Sequence, residues 1–152
     1  MKKEEEALKI IQSAATGSAE ETEALGASLA ARMIQEKDLP PFVALYGDLG
    51  VGKTAFVRGF ASVIAPESIV RSPTFALVNE YRAKPFSLFH FDMYRIESED
   101  DLYSIGFYDY LRKGISVCEW SENIPWAIPE GARRVTIERL PDDVNKRKIT
   151  II

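Results

Sequence analysis

The chain has 152 residues, with 19 Lys plus Arg against 23 Asp plus Glu for a formal charge of −4, and it is 46% hydrophobic and 28% charged. That length and balance fit one soluble domain, 1–152, with a core large enough to need no covalent staple, and they exclude disordered and fibrous classes. Cys118 is the only cysteine, which rules out an internal disulfide and fits a reducing, cytoplasmic compartment. The longest unbroken apolar stretch, Phe42 to Tyr46, is far shorter than the roughly 20 residues of a membrane span. Lys2-Lys3 and Glu4-Glu5-Glu6 have no apolar block behind them, so neither a secretory nor a transit peptide is expected. Mild acidity argues against a nucleic-acid binder that works by bulk charge.

In chain order, Ala7 to Gln12 is a short apolar patch suited to an edge strand, with Thr16-Gly17 as a break. Ser18 and Glu21 have capping-box spacing, and Leu25, Leu29 and Met33 then recur every four residues, which predicts an amphipathic helix over 20–37. Pro40-Pro41 ends it. Phe42 to Tyr46 has the continuous apolar character of a strand buried on both faces, and Lys53 to Ile64 reads as a second helix. Phe75 to Tyr81 and Phe86 to Asp92, separated by Arg82 to Pro85, predict a hairpin and hence a mixed sheet. Ser98 and Asp101 repeat the cap spacing ahead of a short helix ending near Gly106. Ile115 to Glu119 is another apolar strand, and Val135 to Leu140 with Lys148 to Ile152 predicts a closing hairpin. Helices interleaved with strands give an α/β layer architecture.

Gly47-Asp48-Leu49-Gly50-Val51-Gly52-Lys53-Thr54 fits GxxxxGK[ST], placed after an apolar strand and before a helix, the context that gives the pattern its meaning. Glycines let the backbone curl into a nest of N–H groups, and the start of the helix adds a partial positive charge, so an anion is expected there. Lys53 supplies a cation for terminal phosphates and Thr54 a hydroxyl for the magnesium that bridges them. Such a loop needs metal ligands from carboxylates at neighbouring strand ends, and Asp92 and Glu119 both close apolar strands. Thr74, in Arg71-Ser72-Pro73-Thr74, is either an ordinary turn residue or a phosphate-sensing switch. His90 alternates onto the face of Asp92, where a packing role outweighs a catalytic one. Arg95 more readily pairs with carboxylates than with transferred phosphate, and Cys118 reads as an inert core thiol. Trp120 and Trp126 fit either core lids or a docking patch, and Arg133-Arg134 with Lys146-Arg147-Lys148 reads as solvated hairpin charge ahead of the rival reading, contact with nucleotide or an RNA-bearing complex.

These motifs together resemble the TsaE (YjeE) family of small P-loop ATPases in the threonylcarbamoyladenosine modification of transfer RNA. The resemblance rests on the 47–54 loop, Ser72-Pro73-Thr74-Phe75, His90-Phe91-Asp92-Met93-Tyr94-Arg95, Ile105-Gly106 before Asp109-Tyr110, and Glu119-Trp120. It implies a single-domain P-loop NTPase-like α/β fold with a mixed central sheet and flanking helices. It also implies that residues 47–54 bind ATP, that Thr54 and Glu119 hold Mg2+, that Thr74 lies in the switch and that Asp92 is needed for hydrolysis. Arg147 is the match to a basic nucleotide-binding residue before the last strand. The implied partners are the TsaD and TsaB proteins, with tRNA engaged only through that complex and neither DNA nor membrane involved. The implied turnover is weak alone and stimulated by partners. Ala55 departs from the family, which often has a second hydroxyl after Lys-Thr. The rivals are a small-molecule kinase, with Asp92 as base for an acceptor hydroxyl, and a nucleotide-gated binding module with negligible turnover. A GTPase fails because Lys148 stands where a guanine-reading acid would follow Asn145-Lys146.

Overall fold

The computed structural model describes residues 12–36, 40–48, 50, 52–73 and 76–152. Residues 7–11 of the expected edge strand, together with Leu49, Val51, Thr74 and Phe75, lie outside the described residues. The described elements are β1 (Gln12–Thr16), α1 (Ala19–Gln35), β2 (Phe42–Tyr46), α2 (Lys53–Ile64), β3 (Val78–Tyr81) and β4 (Ser87–Asp92). They continue with α3 (Glu99–Ser104), α4 (Phe107–Tyr110), β5 (Gly114–Glu119), two 3-10 turns at Ser121–Asn123 and Pro125–Ala127, β6 (Arg133–Leu140) and β7 (Asp143–Ile151). The strands form one sheet in the order β1-β7-β6-β2-β5-β4-β3. Its centre is parallel, β6 and β5 flanking β2 and β4 following β5, while β3, β7 and β1 join antiparallel, so the sheet is mixed as the sequence predicts.

The central strands bury both faces, and alternation divides their side chains between two cores. Val43 and Leu45 of β2, Leu88 of β4, Ile115 and Val117 of β5 and Val135 and Ile137 of β6 pack with α1 and α2. Phe42, Ala44, Phe89, Phe91 and Cys118 face the other way, onto α3, α4 and the 3-10 turns. Ser18 caps α1 by accepting from the Glu21 amide at 3.2 Å, while Glu21 reaches back to the Gly17 N–H, one residue before the expected partner. Helices α1 and α2 cross with almost no side chain between them. A Cβ on Gly59 would stand 1.8 Å from the Glu23 carbonyl oxygen, and one on Gly26 would stand 2.2 Å from that of Phe56.

Four sequence expectations shift. A strand runs Gln12–Thr16, so Thr16, read as a break, is part of it and is buried, its hydroxyl bonded to that of Thr22 at 2.9 Å. The helix opened by Ser98 ends at Ser104, near Gly106 as expected, but an unforeseen further short helix, α4, begins after Gly106, its aromatic residues drawn into the core. The last strand begins at Asp143, well before Lys148, since cross-strand pairing with β6 extends almost to the turn. Arg133 is no solvated charge: its side chain is mostly buried and donates to Glu36 at 2.8 Å, tying β6 to the end of α1.

Candidate active site

The 47–54 loop leaves β2 at the carboxyl edge of the sheet and enters α2. Gly50 and Gly52 have φ of 75° and 108°, a region that side chains rarely adopt, so the loop's curl depends on glycine there. With Gly52 as cap and no side chain capping it, the first turn of α2 leaves its amides to an outside acceptor. Lys53 is the first residue of the helix and only 5% exposed. Its ammonium donates to the Gly47 carbonyl at 2.6 Å and lies 3.9 Å from the centre of the Trp120 ring. Burial pulls the Lys53 ammonium below its ordinary value, and the carboxylates of Glu119, Glu122, Asp92 and Asp48 pull it back up.

The two acids are placed by the sheet. Asp92 and Glu119 are register partners at the ends of β4 and β5. Both share their strand face with residues of the α1/α2 core, and both are nearly buried, at 8% and 5% exposure. Asp92 Oδ1 accepts from the Tyr94 amide at 3.0 Å. Burial raises the affinity of Asp92 for a proton; the Tyr94 amide lowers it, Glu119 raises it further, and His90 and Lys53 oppose it. His90 is buried, as a packing residue would be, but its Nε2 meets Glu119 Oε2 at 2.5 Å. Cys118 faces the opposite core, fully buried with its thiol pushed up to about 12, chiefly by burial.

Lys53, Thr54, Ser72, Asp92, Arg95 and Glu119 line one cleft of about 400 Å3, with Tyr94 and Trp120 at its wall. On another side of the loop, Gly17, Ser18, Thr22, Ala55, Asn145 and Arg147 line a cleft of about 180 Å3 together with Gly52, which places Arg147 beside the 47–54 loop. Arg147 donates to the carbonyls of Val144 and Lys146 at 2.7 and 3.0 Å. A third cleft, of about 540 Å3, runs between Gly47, Asp48, Glu122 and Arg139. Leu49, Val51 and Thr74 lie outside the described residues.

Sequence reasoning missed three neighbours. Glu122 accepts from the Gly47 amide at 3.2 Å, and Arg139 donates to the Gly50 carbonyl at 3.2 Å, so the loop is held at both of these glycines. No local pattern signals either bond. For Trp120, which the sequence leaves open as a core lid or a docking patch, it is the contact with Lys53 that was missed: its φ of 57° is a left-handed conformation costing about 1–2 kcal/mol, and it brings the ring against Lys53 and within 5.0 Å of Tyr94. Trp126, by contrast, is half exposed.

A family model described as "Threonylcarbamoyl adenosine biosynthesis protein TsaE" matches residues 16–149. The chain belongs to the TsaE family. Relatives named as tRNA threonylcarbamoyladenosine biosynthesis protein TsaE include one from Rickettsia conorii, 38% identical over 136 residues, covering 89% of this chain and 74% of that protein. Another from Bacillus subtilis is 37% identical over 132 residues, covering 86% and 78%, and one from Treponema pallidum is 33% identical over 135 residues, covering 88% and 95%. The crystal structure of Bacillus subtilis YdiB superposes with a TM-score of 0.70 at 30% identity, over 92% of this chain and 83% of that one. The TsaE fold seen here is P-loop NTPase-like, and among its described residues no helix is long and apolar enough to cross a membrane.

Proposed function

We propose that this chain is the magnesium-dependent ATP-binding and ATP-hydrolysing subunit of tRNA threonylcarbamoyladenosine modification, acting in the cytoplasm on the TsaD–TsaB pair and reaching tRNA only through that assembly. Family membership supports the pathway. One observation carries the chemistry: Lys53, Thr54, Asp92 and Glu119, from three separate elements, line a single cleft at the start of α2. The triphosphate is held by the amides of residues 47–54 and by the Lys53 ammonium, which exchanges the Gly47 carbonyl for phosphate oxygens. The nucleoside end takes the cleft beside Ala55 and Arg147, where backbone amides compensate for the hydroxyl that Ala55 lacks.

The donor set fits Mg2+. Among the described residues no group of three or more His, Cys, Asp or Glu side chains forms a self-sufficient metal site. A hydroxyl and one or two carboxylates beside a phosphate site are what Mg2+ uses when the phosphates supply the remaining oxygens. Thr54 and Glu119 would hold it, and the bound ion would neutralise charge on the terminal phosphates. Asp92 orients the attacking water and accepts its proton as the water oxygen bonds to the γ-phosphorus and the β–γ bridge breaks, releasing ADP and phosphate. Burial raises the proton affinity of Asp92, which suits that role. Thr74 senses the γ-phosphate as the switch.

Titration with a fluorescent ATP analogue, together with phosphate release with and without TsaD–TsaB, tests the reading. Lys53→Ala should weaken ATP binding by about 10- to 100-fold, the worth of one or two charged hydrogen bonds. Asp92→Asn should bind ATP but hydrolyse it at least about 100-fold more slowly. Unchanged binding by Lys53→Ala would refute the phosphate site, ATP consumption only on adding a small hydroxyl acceptor would favour the kinase, and equal use of GTP would remove the assignment to ATP.

A further inference from the structure

The polar ring of His90 is wholly buried in the middle of the helix-side core, and the proposed hydrolysis makes no use of it. Its Nε2 stands 2.5 Å from Glu119 Oε2, whereas Nδ1 has no hydrogen-bond partner among the described residues. Against an ionised Glu119 carboxylate, which only accepts, the Nε2 side of the ring is the donor in this bond. Leaving the second nitrogen buried and unpaired carries a penalty that a purely packing role does not repay, since an apolar side chain would avoid it. The ladder explains the reach: His90 opposes Val117, so Glu119 is the diagonal neighbour on the same face.

Glu119 needs such a tether. It is the last residue of β5, followed by a left-handed Trp120, and its carboxylate attracts the Lys53 ammonium across the same cleft. Left to itself, the side chain would swing onto Lys53 and occupy both the group meant for phosphate and the oxygen meant for the cation. We infer that His90 is a positioning residue: by holding Oε2 of Glu119 through Nε2–H, it keeps Oε1 turned to the cation site and keeps the carboxylate off Lys53. This rests on Glu119 being a Mg2+ ligand.

The test uses the full chain and a fluorescent ATP analogue, titrated first in EDTA and then with Mg2+, with melting curves to establish folding. His90→Leu should raise the Mg2+ midpoint about tenfold, the usual scale for losing a group that orients a metal ligand. His90→Gln, whose terminal amide reaches to about the place of Nε2, should restore it, and His90→Asn, which reaches only as far as Nδ1, should not. The affinity for ATP in EDTA should stay at the wild-type value in all three. Equal behaviour of the Gln and Asn variants, or a parallel fall of EDTA and Mg2+ binding, would overturn the inference in favour of a structural role. On the wild-type protein, nitrogen-15 NMR of the ring should place the proton on Nε2, and an Nδ1–H tautomer would overturn it without any variant. Glu119→Gln separates the two readings. If it leaves the Mg2+ midpoint unmoved, the metal-ligand assignment fails first; if it shifts the midpoint while His90→Leu does not, only the role of His90 fails.

Discussion

On one face of the sheet two long helices lie against aliphatic residues from β2, β4, β5, β6 and β7, and they touch each other backbone to backbone at Gly26 and Gly59. On the other face, among the described residues, two short helices and two 3-10 turns bring in a chain of rings in which Phe107 sits 5.2 Å from Phe91 and 6.1 Å from Phe42. The first arrangement is a rigid contact between main chains, which tolerates no added atom. The second is a set of large side chains that fill space from loops. The difference bears on the proposed function because α2 carries Lys53 and Thr54 at its first turn, so its placement by α1 is also the placement of the proposed phosphate site. The ring face contributes a wall, through Trp120 and Tyr94, but neither carboxylate.

If that division is right, damage to the two faces should separate stability from binding. Phe107→Ala removes a fully buried ring and should cost about 3–5 kcal/mol in denaturant unfolding, while ATP affinity per folded molecule stays near wild type. Gly59→Ala should cost about 2–3 kcal/mol by overpacking and, unlike the ring deletion, should weaken ATP binding, because α2 must move away from Glu23. Should Phe107→Ala prove the more harmful to binding, the helix face is not what places the site. Ser18→Ala removes the cap of α1 and should cost about 1 kcal/mol, seen as a small loss of melting temperature. The mildest result should come from Cys118: fully buried on the ring face, it should resist alkylation under native conditions and react only on unfolding, and rapid native labelling would show that the ring face opens readily.

What could be read from residues alone follows the same division. Periodicity gave α1 nearly to its ends, the segment after the glycine loop reads as α2, and continuous apolar runs gave β2 and β5, since these elements bury one face or two against long regular neighbours. The short helix at Phe107–Tyr110 was not legible, because four residues carry no period and their helical turn follows from where the rings must go. In the site, the loop, Lys53, Thr54, Asp92 and Glu119 stand out as residue types at strand and helix ends. Their supports do not: His90 reaches Glu119 across 29 positions and Glu122 reaches Gly47 across 75, and nothing local records such a pairing. Arg133 shows the reverse error, a basic residue in a charged-looking hairpin whose partner, Glu36, lies at the far end of α1.

Asp92 and Glu119 sit opposite each other on adjacent parallel strands, and the Met93 amide continues the ladder by donating to the Glu119 carbonyl at 3.0 Å. The sheet thus works as a ruler: the gap between the two acids is one inter-strand step, about 4.8 Å at the backbone, whatever length of chain joins them. The crossover through α3 and α4 can therefore be lengthened, trimmed or recut to suit a different binding surface without altering that gap, provided the rings beneath it still pack. The spacing of the two acids and the outward shape are decoupled along this stretch, which leaves the latter open to change.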